Sequence, residues 1–76
     1  MLNKADTIKD LNKIKTDLNE SISSLPIGSA KRRRLLSDVA DIDLLIFNDL
    51  SKTSIGRIVS TTSNKKIYDL LEGEIK

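Results

Sequence analysis

The 76-residue chain contains no cysteine and no histidine, a single proline, three glycines and two aromatic residues, Phe47 and Tyr68. Without cysteine there are no disulfides, iron–sulfur clusters or thiolate zinc sites. Without histidine the commonest general base and the commonest metal ligand are both missing. Two aromatics support a base-stacking platform poorly, and both rings fit apolar helix faces, so they are expected in the core. There is no apolar run of the roughly 18 residues that a membrane span needs. No short apolar core followed by a cleavage site opens the chain, so a signal peptide is not expected. Charge is nearly balanced, 13 Lys and Arg against 11 Asp and Glu, for a net +2 and a pI near 9.0. The expectation is one cytoplasmic domain over residues 1–76 that is not an enzyme and uses no cofactor or metal. A chain this short buries only about 60% of its unfolded surface, so its core is marginal and association would help it.

What is present is helical periodicity. Over 3–25 the apolar positions Ile8, Leu11, Ile14, Leu18, Ile22 and Leu25 fall on one arc of about 120°, with Thr7 and Lys15 the only polar intruders. Asn3 and Asp6 have the spacing of a capping pair. Pro26 and Gly28 then break the pattern, and Ser29 is a natural cap for a second helix.

Residues 30–50 read as that helix. Leu35, Leu36, Val39, Ala40, Ile42, Leu44, Ile46, Phe47 and Leu50 cover an arc of about 200°, wide enough to be contacted from two sides. Arg34, Ser37, Asp38, Asp41, Asn48 and Asp49 fill the opposite arc, while Asp43 and Leu45 stand on the wrong sides. A strand over 41–47 is the rival reading. A short helix at about 52–60 would bury Ile55, Ile58 and Val59. A last helix over 64–75 would bury Ile67, Tyr68, Leu70, Leu71 and Ile75. The fold class is therefore all-α: a small bundle of three long helices and one short one, with sequence neighbours packed together. Asp43, projecting toward the apolar arc, needs a partner, and Lys15 is the matching misfit of the first helix; such a pair would fix the register of the two helices.

Three features bear on function. Lys31, Arg32, Arg33 and Arg34 place four cations in the first turn of a helix, where they oppose its dipole. A phosphate backbone or an acidic protein surface would suit them. The plain alternative is a solvated run, with Arg34 pairing Asp38. The basic excess lies in the first half: residues 1–38 carry eight cations and five anions, residues 39–76 five and six.

The second feature is Asp49-Leu50-Ser51-Lys52-Thr53-Ser54-Ile55-Gly56-Arg57-Ile58, which resembles the helix-turn-helix family of DNA-binding regulators over residues 44–58. Leu50, Ile55 and Ile58 match the positions that pin the second helix from below, and Leu44 matches the inward residue of the preceding helix. Leu45, Asn48 and Asp49 depart from the pattern, where a small residue, an apolar residue and glycine are usual. The resemblance implies double-stranded DNA as partner, a corner near 44–60, and Thr53, Ser54, Arg57 and Thr61 as an outward reading surface. Lys52 and the basic run would hold phosphates.

The third is Gly28-Ser29 followed by Asp41 and Asp43, which looks like the nucleotidyltransferase signature. There a Gly-Ser turn grips a triphosphate and two carboxylates on one strand face hold metal ions. The helical periodicity leaves little room for the sheet this needs. A small DNA-binding regulator or accessory factor is the leading expectation, with a possible homodimer. A helical module that docks on another protein is the alternative, and a minimal nucleotidyltransferase a distant third.

Overall fold

A computed structural model describes residues 3–72, and among them there are four helices and no strand. The helices are α1 (Lys4–Ser23), α2 (Ala30–Phe47), α3 (Lys52–Thr61) and α4 (Lys65–Glu72). None of them is long and apolar enough to cross a membrane. The expected burial of Ile75 lies outside the described residues.

Each helix start has a side-chain cap, at Asn3 and Ser29 as the sequence suggests. Asn3 Oδ1 accepts from the Asp6 amide at 3.2 Å, Ser29 Oγ from Arg32 at 3.0 Å and Ser51 Oγ from Ser54 at 3.2 Å. Asn64 Oδ1 accepts from the Ile67 amide at 3.1 Å and so opens α4. These contacts satisfy amides that have no partner within the helix. Between α1 and α2 the Ser29 amide donates to the Pro26 carbonyl at 3.2 Å, closing a turn in which Gly28 has φ +89°. Pro26 is the first residue of that turn, and Gly28 at its third position takes the left-handed backbone that glycine adopts without steric cost.

Packing joins α1 to α2, α2 to α3, α3 to α4 and α4 back to α1. One cluster fills the centre: Leu11 and Leu18 from α1, Ile42 and Leu45 from α2, Leu50, Ile55 and Ile58, and Ile67 and Leu71 from α4. Thr7 is buried with them, as its place on the first helix's arc implies. At roughly 1.5–3 kcal/mol for each fully buried aliphatic side chain, this cluster is the main force holding four short helices together.

The end of α2 departs from the expectation. The helix stops at Phe47 instead of 50, because the Asp49 amide donates to the Ile46 carbonyl at 3.1 Å and the Leu50 amide to the Leu45 carbonyl at 2.9 Å. That pair of bonds is a Schellman motif, and it needs left-handed backbone just past the cap. Asp49 has φ +52° and Leu50 φ +54°. Turning back there sets Leu50 onto Leu45, the apolar contact that accompanies the motif.

The buried side of α2 is consequently rotated from the one expected. Leu45, expected on the wrong side, is fully buried, and Asp38, expected on the solvent arc, is 5% exposed. Phe47, expected in the core, is 86% exposed, while Leu36 and Leu44 are partly open to solvent. The cause is that α1 and α3 flank α2 on the side of Asp38, Ile42 and Leu45, leaving the other half of its wide apolar arc without a partner. Tyr68 likewise lies on the open side of α4, not in the core. Lys15 and Asp43 do meet, at 2.6 Å, but both remain substantially exposed. The register of α1 on α2 is therefore carried by Leu11, Leu18, Ile42 and Leu45.

Candidate nucleic-acid interface

The corner between α2 and α3 is the best-defined element of the candidate site. Its four-residue turn, Asn48 to Ser51, is fixed by the Schellman bonds on one side and the Ser51 cap on the other. Leu50, Ile55 and Ile58 are each no more than 3% exposed, so α3 is pinned along one face. The residue of α2 that points inward is Leu45, however, with Leu44 at the surface, one position from the family pattern. Asp49 takes the left-handed backbone for which the family uses glycine, which aspartate tolerates better than most residues.

The outer face of α3 presents Lys52, Thr53, Arg57, Ser60 and Thr61 to solvent. Ser54 does not belong to it. Its side chain is 8% exposed and its Oγ accepts from the Ser51 hydroxyl at 2.9 Å, so it is part of the cap and not of a reading surface. The Thr61 hydroxyl donates to the Arg57 carbonyl at 3.0 Å, which commits its proton within the helix and leaves its oxygen as an acceptor. Ser60, which the sequence reading passed over, lies one turn beyond Arg57 and donates to the same carbonyl at 2.9 Å.

The four cations at the start of α2 do not form one patch. Lys31 and Arg34 line a cleft of about 590 Å³ between α1, α2 and the start of α4, and Lys65 and Lys66 line it from the other side. Arg33 points about 100° away from Arg34 and lies on the outer face of α2, and Arg32 is half-buried. Lys65 and Lys66 thus join Lys31 and Arg34 although some 30 residues separate them in the chain. Nothing in a single stretch of sequence marks that meeting.

The acidic side of the same surface is ordered too. Asp38 accepts from Asn64 Nδ2 at 3.3 Å, so one residue caps α4 and ties it to α2. One turn on, Asp41 is half-buried, and its carboxyl is pushed above its usual range by burial and by the neighbouring Asp38, with Arg57 opposing both. Asp41 and Asp43 lie two residues apart on a helix, so their side chains diverge by about 200° instead of sharing a face. That overturns the strand geometry on which the nucleotidyltransferase resemblance depends. Among the described residues no group of acidic side chains is placed to hold a metal ion.

No protein-family model matches the chain, and no curated protein or solved structure matches it.

Proposed function

We propose that the chain is a small double-stranded DNA-binding protein, a regulator or accessory factor, that presents α3 to the major groove. The observation that carries the reading is the pinning of α3: Leu50, Ile55 and Ile58 are buried beneath it, while Lys52, Thr53 and Arg57 stand on its free face. A helix held from below with a polar, cationic outer face is what groove entry requires. Arg57 is the side chain suited to the guanine edge, Lys52 and Thr53 to phosphates at the helix start, and the Thr61 oxygen to a donor on a base. Lys31, Arg34, Lys65 and Lys66 add a second cationic surface that suits backbone phosphates.

Titration of labelled duplex DNA by fluorescence anisotropy at low and moderate salt tests this. The expected result is binding that weakens steeply with salt. Arg57→Ala should lower affinity for a preferred sequence by roughly tenfold. Lys65→Ala should weaken all sequences alike and reduce the salt slope by about one. Absence of binding at low salt would overturn the proposal.

A second reading, a module that docks on another protein, is favoured by one specific feature. The free face of α2 carries Leu36, Leu44 and the almost fully exposed Phe47. It predicts that binding to the partner survives salt and that Arg57→Ala is silent.

A further inference from the structure

The outermost stripe of α2 is apolar where a solvent-facing helix stripe is ordinarily polar. Taking about 100° per residue, Leu36, Ala40, Leu44 and Phe47 lie within an arc of about 80° that is centred on the side opposite the core. All four are exposed, Phe47 at 86%. The stripe runs about 16 Å along the helix, and Arg33 lies within the same arc at its start.

Charge along α2 is polarised in the same direction. Lys31, Arg32, Arg33 and Arg34 stand at its N-terminal end, Asp41 and Asp43 in its C-terminal half and Asp49 just past its end, with Asp43 and Asp49 also held at the surface by Lys15 and Lys4 of the same chain. The cations oppose the dipole of their own helix, and the anions oppose it at the other end. Two copies laid antiparallel ease both conflicts, since the basic start of each helix then lies beside the dipole-negative end of the other and Asp49 just past it. A parallel arrangement would set four cations against four.

We propose that the protein self-associates through α2, as an antiparallel pair related by a two-fold axis passing beside Ala40. In that register Leu36 meets Leu44 of the second copy, Ala40 meets Ala40, and Arg33 lies over the Phe47 ring. The small side chain at the axis allows close approach of the helices, and the Arg33 guanidinium on an aromatic face adds a cation–π contact. Each half of the contact is repeated by symmetry, so one exposed phenylalanine and one otherwise unfavourable arginine are both covered twice. With only three large apolar side chains per copy, the interface is small and the dimer is weak and concentration-dependent. The Lys31–Arg34–Lys65–Lys66 cleft and the outer face of α3 remain open in this arrangement, so the inference stands apart from the DNA reading.

Sedimentation equilibrium of the full chain over a wide concentration range tests the association without nucleic acid. A monomer–dimer equilibrium is expected, with association weakened roughly tenfold or more by Phe47→Ser or by Ala40→Glu, two surface changes whose folding is checked by circular dichroism. The absence of cysteine makes the register directly readable with a short bismaleimide. Ala40→Cys should cross-link to itself rapidly and Arg33→Cys slowly. A monomer at every concentration, or a dimer indifferent to both surface variants, would overturn the proposal, and so would equal cross-linking at the two positions, as a parallel pair gives.

Discussion

Asp49 and Leu50 are consecutive non-glycine residues with left-handed backbone, and they illustrate two ways of sustaining it. Asp49 is exposed and holds only the Lys4 ammonium at 3.0 Å, a surface pair worth little. Asp49→Gly should therefore relieve about 1 kcal/mol of backbone strain, partly offset by the greater freedom of glycine in the unfolded chain, for a net gain of about 0.5 kcal/mol. A higher urea midpoint with unchanged slope would show it. Leu50 is buried, and removing its side chain costs more than its strain. Leu50→Ala is expected to lose about 2–5 kcal/mol and to loosen α3 with it. Asp41 supplies a pH-dependent case. Its carboxyl is raised in the folded state by burial and by Asp38, so ionisation destabilises the fold at neutral pH. That penalty disappears as pH falls through the folded value. Asp41→Asn should accordingly raise the melting temperature at neutral pH, with an advantage over the wild type that shrinks toward acidic pH.

Among the elements, the caps were the most legible part of the sequence. Asn3 and Ser29 open helices as their spacing suggests, since their oxygens are needed locally and no distant residue has to be known, and Ser51 and Asn64 do the same for α3 and α4. The face of α2 was not legible, because its apolar arc is wider than two neighbouring helices cover. Which half was buried depended on the Schellman turn that brings Leu50 to Leu45. The partnership of Lys15 and Asp43 was visible as two misfits at compatible positions. Its exposure was not, and Lys15→Met should change stability by less than about 1 kcal/mol, measured by urea denaturation. Asn64 carries more. Asn64→Ala removes the cap on α4 and the bond to buried Asp38 together, and should cost about 1–2 kcal/mol. The outer face of α3 was foreseen at Lys52, Thr53, Arg57 and Thr61. Ser54 fell out of it because its hydroxyl turns inward to the cap.

At the scale of the whole molecule, four amphipathic helices close a small ring of contacts around nine buried aliphatic side chains. The helical composition and the short connections were readable from periodicity alone. The convergence of Lys31 and Arg34 with Lys65 and Lys66 was not, being a property of the assembled bundle. Two surfaces result on different sides of α2: a cationic cleft toward α4 and an apolar stripe facing outward. A double variant, Lys31→Ala with Lys65→Ala, should weaken DNA binding and leave sedimentation unchanged. Phe47→Ser should do the reverse at the level of self-association. Running both variants through both assays separates the two proposals, whichever holds.

Gly56 sits in the middle of α3, and a Cβ built there meets nothing within 4 Å. Space is thus available for a side chain that would stabilise the helix, yet the chain carries the residue that weakens it by about 1 kcal/mol relative to alanine. With ten residues, α3 is too short to persist without its three buried anchors. Its amide protons should exchange with deuterium earlier than those of α1 and α2, and Gly56→Ala should slow that exchange selectively. A ligand that grips α3 would have to supply the ordering that glycine withholds, so the alanine variant should bind it more tightly through slower release, with no contact added.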